Sequence, residues 1–104
     1  MIYTEQELIA PALYLISKHP GITMAEIIKQ MESVMNPTGN DAEILAGRND
    51  THFSQKVRNL KSHRDYNGMA EYTDLQNGHY YLTEKGRVAL EKVYDEVEAL
   101  FSFD

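Results

Sequence analysis

The stretch "NGHYYLTEKGR" (residues 77–87) decides how the second half of this chain folds. Its Asn-Gly pair is the strongest short-range signal for a two-residue hairpin turn, because both residue types tolerate positive φ. Short β runs flank the pair, in "MAEYTDLQ" before it and "HYYLT" after it. Thr83 is a suitable cap for a following helix. The stretch therefore predicts a hairpin at about 69–82 and a C-terminal helix at about 83–101.

Three helices are predicted upstream of the hairpin. The first two begin with capping boxes, in which a threonine and a glutamate three residues later cap each other, at Thr4/Glu7 and Thr23/Glu26. Apolar residues follow each cap at helical spacing. Pro11 should kink the first helix or delay its start.

The third predicted helix is capped by Asp50 or Thr51 and reaches about Arg64. A short helical turn at "DAEILAG" (residues 41–47) precedes it and places Ile44 and Leu45 in the core. The helix should bury one narrow face, formed by Phe53, Val57 and Leu60.

The order helix, helix, short turn, helix, hairpin, helix fits a single domain over residues 1–104. It predicts a mainly α fold with a small β-hairpin (α+β): a winged helix-turn-helix with an extended C-terminal helix. In that architecture the third helix enters a DNA major groove, and the hairpin, or wing, touches the neighbouring backbone or minor groove.

The charge of the chain is unevenly distributed. The net charge is −6, yet residues 48–64 contain five basic residues and one acid. Such a block often marks an interaction surface, although a solvated helix face is the simpler interpretation. The chain has no cysteine, no signal-peptide pattern and no long apolar run, so we expect a cytoplasmic protein without a membrane segment.

The polar face of the third helix predicts contacts with double-stranded DNA. Arg58 has the chemistry to read guanine, and Gln55 and Asn59 to read adenine. Basic side chains near them would hold phosphates. At the hairpin tip, Asn-Gly is also needed for backbone reasons alone. The complete predicted DNA-binding set is Arg48, Thr51, His52, Gln55, Lys56, Arg58, Asn59, Lys61, Ser62, Arg64, Asn77 and His79.

Several motifs resemble known DNA-binding proteins. "YYLTEKGR" resembles the end of the wing in bacterial winged-helix proteins. The stretch from about Ile22 to Leu90, with "ITMAEIIKQM", "DAEILAGRNDTHF" and "FSQKVRNLKSH", is similar to the N-terminal winged-helix domain of Mrr-type restriction endonucleases. Arg58-Asn59 stands where that family has an aromatic-Ala pair. The resemblance implies DNA recognition, but not cleavage, because no nuclease domain follows before Asp104.

The sequence predicts neither catalysis nor a cofactor. The four histidines form no i, i+4 pair, and no P-loop, GxSxG or HExxH motif occurs. We therefore expect no enzyme activity and no metal site, and no small-molecule pocket can be placed from the sequence.

The last predicted helix carries an apolar stripe with alternating spacing. The stripe can pack on the first helix within the chain, or form the seam of a homodimer. The predicted dimer-interface set is Leu90, Val93, Tyr94, Val97, Leu100 and Phe101. The favoured expectation is a dimeric DNA-binding protein that acts in transcription regulation or as the recognition part of a restriction or defence-type system. The alternative is a winged-helix module that binds other proteins without touching DNA.

Overall fold

The computed structural model describes residues 3–43 and 51–101. Its helices are α1 (Ile9–Lys18), α2 (Met24–Met35), α3 (His52–Ser62), α4 (Arg64–Asn67), α5 (Met69–Tyr72), α6 (Glu84–Glu91) and α7 (Tyr94–Phe101). The strands are β1 (Ile22–Thr23), β2 (Thr73–Gln76) and β3 (His79–Leu82). Two 3₁₀ turns lie at Gln6–Leu8 and Gly39–Ala42. The fold is thus mainly helical with one small antiparallel sheet, which confirms the α+β class.

Both predicted capping boxes form, the first before the 3₁₀ turn at Gln6–Leu8 and the second at the start of α2. The Thr4 and Thr23 amides donate to Glu7 Oε1 at 2.8 Å and Glu26 Oε1 at 3.0 Å. The two glutamate amides donate back to the threonine hydroxyls at 3.3 Å. Pro11 is the third residue of α1, where its missing N–H costs no intrahelical bond, and the 3₁₀ turn occupies the residues before it. The predicted delay of this helix is confirmed.

The sheet has the strand order β1-β3-β2, with β3 in the centre. At the predicted hairpin turn Asn77 has φ 51° and Gly78 has φ 82°, as a type I′ turn requires. The first strand was not predicted: Ile22 pairs with Tyr80, and Thr23 with His79. The hairpin is also shorter than expected, because residues 69–72 are helical and its first strand, β2, begins at Thr73.

The core lies between α1, α2, α3 and the inner face of the sheet. Its most deeply buried large side chains come from the first three long helices and the turn before α1: Leu8, Ile16, Ile27, Met31, Phe53, Val57 and Leu60. The predicted buried face of the third helix is therefore confirmed. That helix ends at Ser62 rather than near Arg64, and Arg64 begins α4.

The C-terminal helix is divided into α6 and α7 by a turn at residues 92–93. The first part contacts α5 and α1, and the second contacts α1 and α2, so the break lets each segment follow its own neighbours. Tyr14 of α1 stacks on Phe101, with ring centroids 4.7 Å apart, and lies 5.7 Å from the Tyr94 ring. The predicted apolar stripe thus packs on the first helix of the same chain.

This intramolecular packing occupies much of the proposed dimer surface. Leu90 and Val97 are 3% and 5% exposed. They are buried in the core of the chain and offer little to a second copy. Val93, Tyr94, Leu100 and Phe101 are only half-buried. The homodimer itself stays a prediction.

Candidate nucleic-acid interface

Helix α3 is fixed in one rotational setting by its buried face. Phe53, Val57 and Leu60 are each fully buried, so the residues on the opposite side face away from the core. At its start, the Ser54 amide donates to Thr51 Oγ1 and the Thr51 amide to Ser54 Oγ, both at 3.0 Å. Of the two predicted caps, Thr51 is therefore the one used. Its side chain has a structural role, while Arg48 and Asp50 lie outside the described residues.

The three predicted base-reading residues lie on this outward face with different exposure. Arg58 is exposed, and Gln55 and Asn59 are half-buried. The Gln55 amide nitrogen donates to Asn59 Oδ1 at 2.9 Å, an i, i+4 pair along the helix. An amide oxygen has two lone pairs, so Asn59 Oδ1 can accept a second hydrogen bond while it accepts the one from Gln55. The structure thus places all three on one helix face, with Arg58 the most exposed.

The predicted phosphate-binding residues are in two different situations. Lys61 and Arg64 are exposed at the end of α3 and the start of α4, beside the exposed Ser62. Arg64 also donates from Nη1 to the Lys61 carbonyl at 3.3 Å. The Lys56 ammonium donates instead to the Tyr3 carbonyl at 2.7 Å and ties the N-terminal segment to α3. Lys61 and Arg64 are therefore the better placed for a phosphate.

Within residues 51–64 the chain has four basic side chains and no acid. The negative charge lies on neighbouring elements. Asp65 is exposed directly after Arg64, and the Glu5 carboxylate is 3.0 Å from His63 Nδ1. The segment from residue 51 to residue 64 is therefore basic, and acids lie next to its C-terminal end.

The predicted histidines and the hairpin tip differ in their surroundings. His79 Nδ1 is 2.8 Å from the Gly21 carbonyl, which connects β3 to the residue before β1. His52 is half-buried at the start of α3. Asn77 is exposed at the tip of the hairpin and open to a partner.

The hairpin carries little positive charge. Residues 73–82 include no lysine or arginine, and Asp74 is exposed on β2. Its carboxylate accepts a hydrogen bond from Gln76 Nε2 at 2.7 Å. A phosphate near β2 would therefore meet an anion.

One exposed aromatic side chain was missed by the sequence reasoning. Tyr66 in α4 is 89% exposed and lies two residues after Arg64, with its ring 6.5 Å from that of His63. A four-residue helix such as α4 gives no periodic signal in the sequence, so the exposure of Tyr66 was not predicted. Tyr66 adds a flat apolar surface next to the basic end of α3.

Metal-ligand clusters and membrane-spanning helices are both absent from the described part of the chain. Over residues 3–43 and 51–101, no three histidine, aspartate or glutamate side chains come together as metal ligands would. None of the helices in these ranges has both the length and the apolar composition to cross a bilayer. Comparisons of the chain with protein-family models, with curated proteins and with solved structures find no match.

Proposed function

We propose that this protein binds double-stranded DNA by placing α3 in the major groove. The observation that carries the proposal is the setting of α3. Its apolar face is fully buried, and its outward face presents basic and amide side chains with no acid along the helix. A B-DNA major groove is about 12 Å wide and admits one helix. The proposed fold is a winged helix, supported by three helices followed by a hairpin that joins a strand before α2.

In this binding mode each part of the surface would contact a different part of the DNA. Arg58 would donate two hydrogen bonds to guanine, and Gln55 or Asn59 would contact an adenine nearby. Lys61 and Arg64 would bind phosphates and fix the register of the helix, since phosphate contacts position a protein without reading sequence. The tip of the wing at Asn77 would touch the adjacent backbone.

The biological role we propose follows from occupancy of a DNA site. A protein that covers a groove changes the access of other proteins, as in transcription regulation or in the recognition step of a restriction or defence-type system. These two roles are suggested by the sequence motifs that resemble the N-terminal domain of Mrr-type endonucleases. A homodimer would place two copies of α3 on successive major grooves, about 34 Å apart. The half-buried residues of α7, above all Tyr94, Leu100 and Phe101, are the candidates for that contact.

A protein-binding module is the second candidate, and the charge of the hairpin favours it. The wing carries an exposed aspartate and no lysine or arginine. The remainder of the chain outside residues 51–64 is acidic, which suits a basic partner. In this alternative α3 would contact a protein surface.

The test is selection of bound sequences from random duplex DNA at moderate salt. Enrichment of one motif supports groove recognition, and a palindromic motif supports the homodimer. Each enriched duplex is then measured with the Arg58→Ala protein and with Lys92→Ala, a control that removes an exposed charge between α6 and α7. Selection without enrichment, or equal losses for the two variants, would contradict the proposal and leave the protein-binding module.

A further inference from the structure

A cavity lies between the end of α3, the start of α4, α5 and the hairpin. Its volume is about 230 Å³. Leu60, Met69 and Leu75 form an apolar part of the wall, and the Tyr80 ring lines it from the central strand. An engineered apolar cavity of about 150 Å³ is large enough to bind benzene. The space here accommodates a benzene ring with one polar substituent.

The Tyr80 hydroxyl is a buried polar group without a hydrogen bond to the described residues. The residue is 3% exposed, and its hydroxyl has no partner among residues 3–43 and 51–101. Buried hydroxyl groups are nearly always paired, because an unpaired one loses its bonds to water without compensation. Burial raises the pKa of this hydroxyl, and the positive charge of Arg64 acts in the opposite direction. Arg64 and Tyr80 both line the cavity.

The charges around the cavity have one sign. Lys61 and Arg64 both line it and are both exposed, which places cations at its entrance. Among the described residues 3–43 and 51–101, no aspartate or glutamate lines the cavity. A ligand that satisfies all three features has an apolar ring, an acceptor for a hydroxyl and a negative charge.

We propose that this cavity binds a small aromatic carboxylate. The ring packs against Leu60, Met69 and Leu75. The carboxylate accepts a hydrogen bond from the Tyr80 hydroxyl and pairs with Arg64, and Lys61 adds a second positive charge nearby. This site does not depend on DNA binding, because each of its features belongs to the isolated chain.

The probe is benzoate, added to the full ¹⁵N-labelled chain and followed by chemical-shift changes in NMR spectra. We expect saturable shifts at millimolar benzoate, concentrated in residues 60–64, 69–75 and 80. Benzyl alcohol has a similar shape but no charge, and we expect it to bind about tenfold more weakly because the charged hydrogen bonds are lost. Non-saturating shifts, or equal binding of the two compounds, would overturn the proposal.

Two variants test how much single side chains contribute to benzoate binding. Tyr80→Phe keeps the ring and removes only the hydroxyl, and Arg64→Gln removes the charge at the entrance. Each should raise the benzoate Kd about tenfold, while Lys92→Gln, which removes a charge away from the cavity, should leave it unchanged. Spectra of the variants without benzoate report whether they fold. Folded variants that bind benzoate as tightly as the parent would show that the cavity is not the site.

Discussion

Gly86 allows α6 to lie directly on the backbone of α5. Replacing it with alanine should therefore lower the stability of the fold. A Cβ atom at Gly86 would be 2.0 Å from the Tyr72 carbonyl oxygen and 2.9 Å from its carbonyl carbon. Contacts below 3.0 Å essentially never occur, so α6 would have to move by about 1 Å. Neither atom can rotate away, because both belong to the main chain.

The sign of the stability change follows from two opposing terms. In an exposed helix, replacing glycine with alanine stabilises by about 1 kcal/mol. Overpacking a filled site costs about 1–3 kcal/mol, and a clash with main-chain atoms belongs at the upper end. We therefore expect Gly86→Ala to lower the free energy of unfolding by about 2 kcal/mol, or the melting temperature by about 8–16 °C.

Chemical denaturation with urea, followed by far-UV circular dichroism, measures this change. Val88→Ala is the matched control, because Val88 lies on the exposed side of the same helix and its replacement should change stability by less than about 0.5 kcal/mol. A Gly86→Ala protein as stable as the parent, or more stable, would show that α6 and the Tyr72 main chain are not in close contact.

Three further predictions concern the proposed interface and the caps. Arg58→Ala should cost about 1–3 kcal/mol on a selected DNA site and relax specificity at one base pair, which a competition assay with single-base variants measures. Lys61→Ala should flatten the plot of log affinity against log salt by about 0.9, whereas Lys56→Ala, whose ammonium is held by Tyr3, should leave that slope unchanged in anisotropy titrations. Hydrogen bonds from Thr23 lower the pKa of Glu26 in the folded protein. The stability that Glu26 contributes to the fold is therefore complete above its unfolded pKa near 4.5 and is lost as the pH falls through the lower folded value. The Glu26→Gln protein should show a smaller loss of stability on acidification, measured as urea midpoints from pH 7 to pH 3.

The local signals in the sequence were accurate because their interactions span only a few residues. The capping boxes at Thr4 and Thr23 join residues three positions apart, and the Asn77-Gly78 turn needs only its own two backbone conformations. The buried face of α3 follows from side-chain periodicity alone. None of these features requires knowledge of what lies next to it.

Features that depend on distant parts of the chain were missed. Strand β1 is two residues long, too short for a periodic pattern, and exists because Ile22 pairs with Tyr80 far along the chain. The residues of α5 read as a strand because tyrosine favours sheets, yet Gly68, with φ 91°, and the contact with α6 hold them in a helical turn. The cavity beside Tyr80 likewise arises from elements that only the fold brings together.

The motif "YYLTEKGR" now has a physical explanation that concerns the fold. Thr83 accepts a hydrogen bond from the Gly86 amide at 3.1 Å, and its hydroxyl donates to the Glu71 carbonyl. The Thr83 amide donates to the Tyr72 carbonyl at 3.0 Å. Threonine and glycine thus join the start of α6 to the end of α5. The motif therefore indicates architecture, and evidence for DNA binding has to come from α3.

The proposed DNA interface and the proposed carboxylate site share Lys61 and Arg64. The binding of one ligand should therefore affect the binding of the other. A carboxylate paired with Arg64 neutralises one of the charges that would face a phosphate, so bound benzoate should weaken DNA binding. Linkage requires that DNA weaken benzoate binding by the same factor. Anisotropy titrations of a selected duplex with and without saturating benzoate, beside NMR titrations of benzoate with and without DNA, measure both factors. Benzoate binding that leaves DNA affinity unchanged would mean that Arg64 does not contact the duplex, even if both ligands bind.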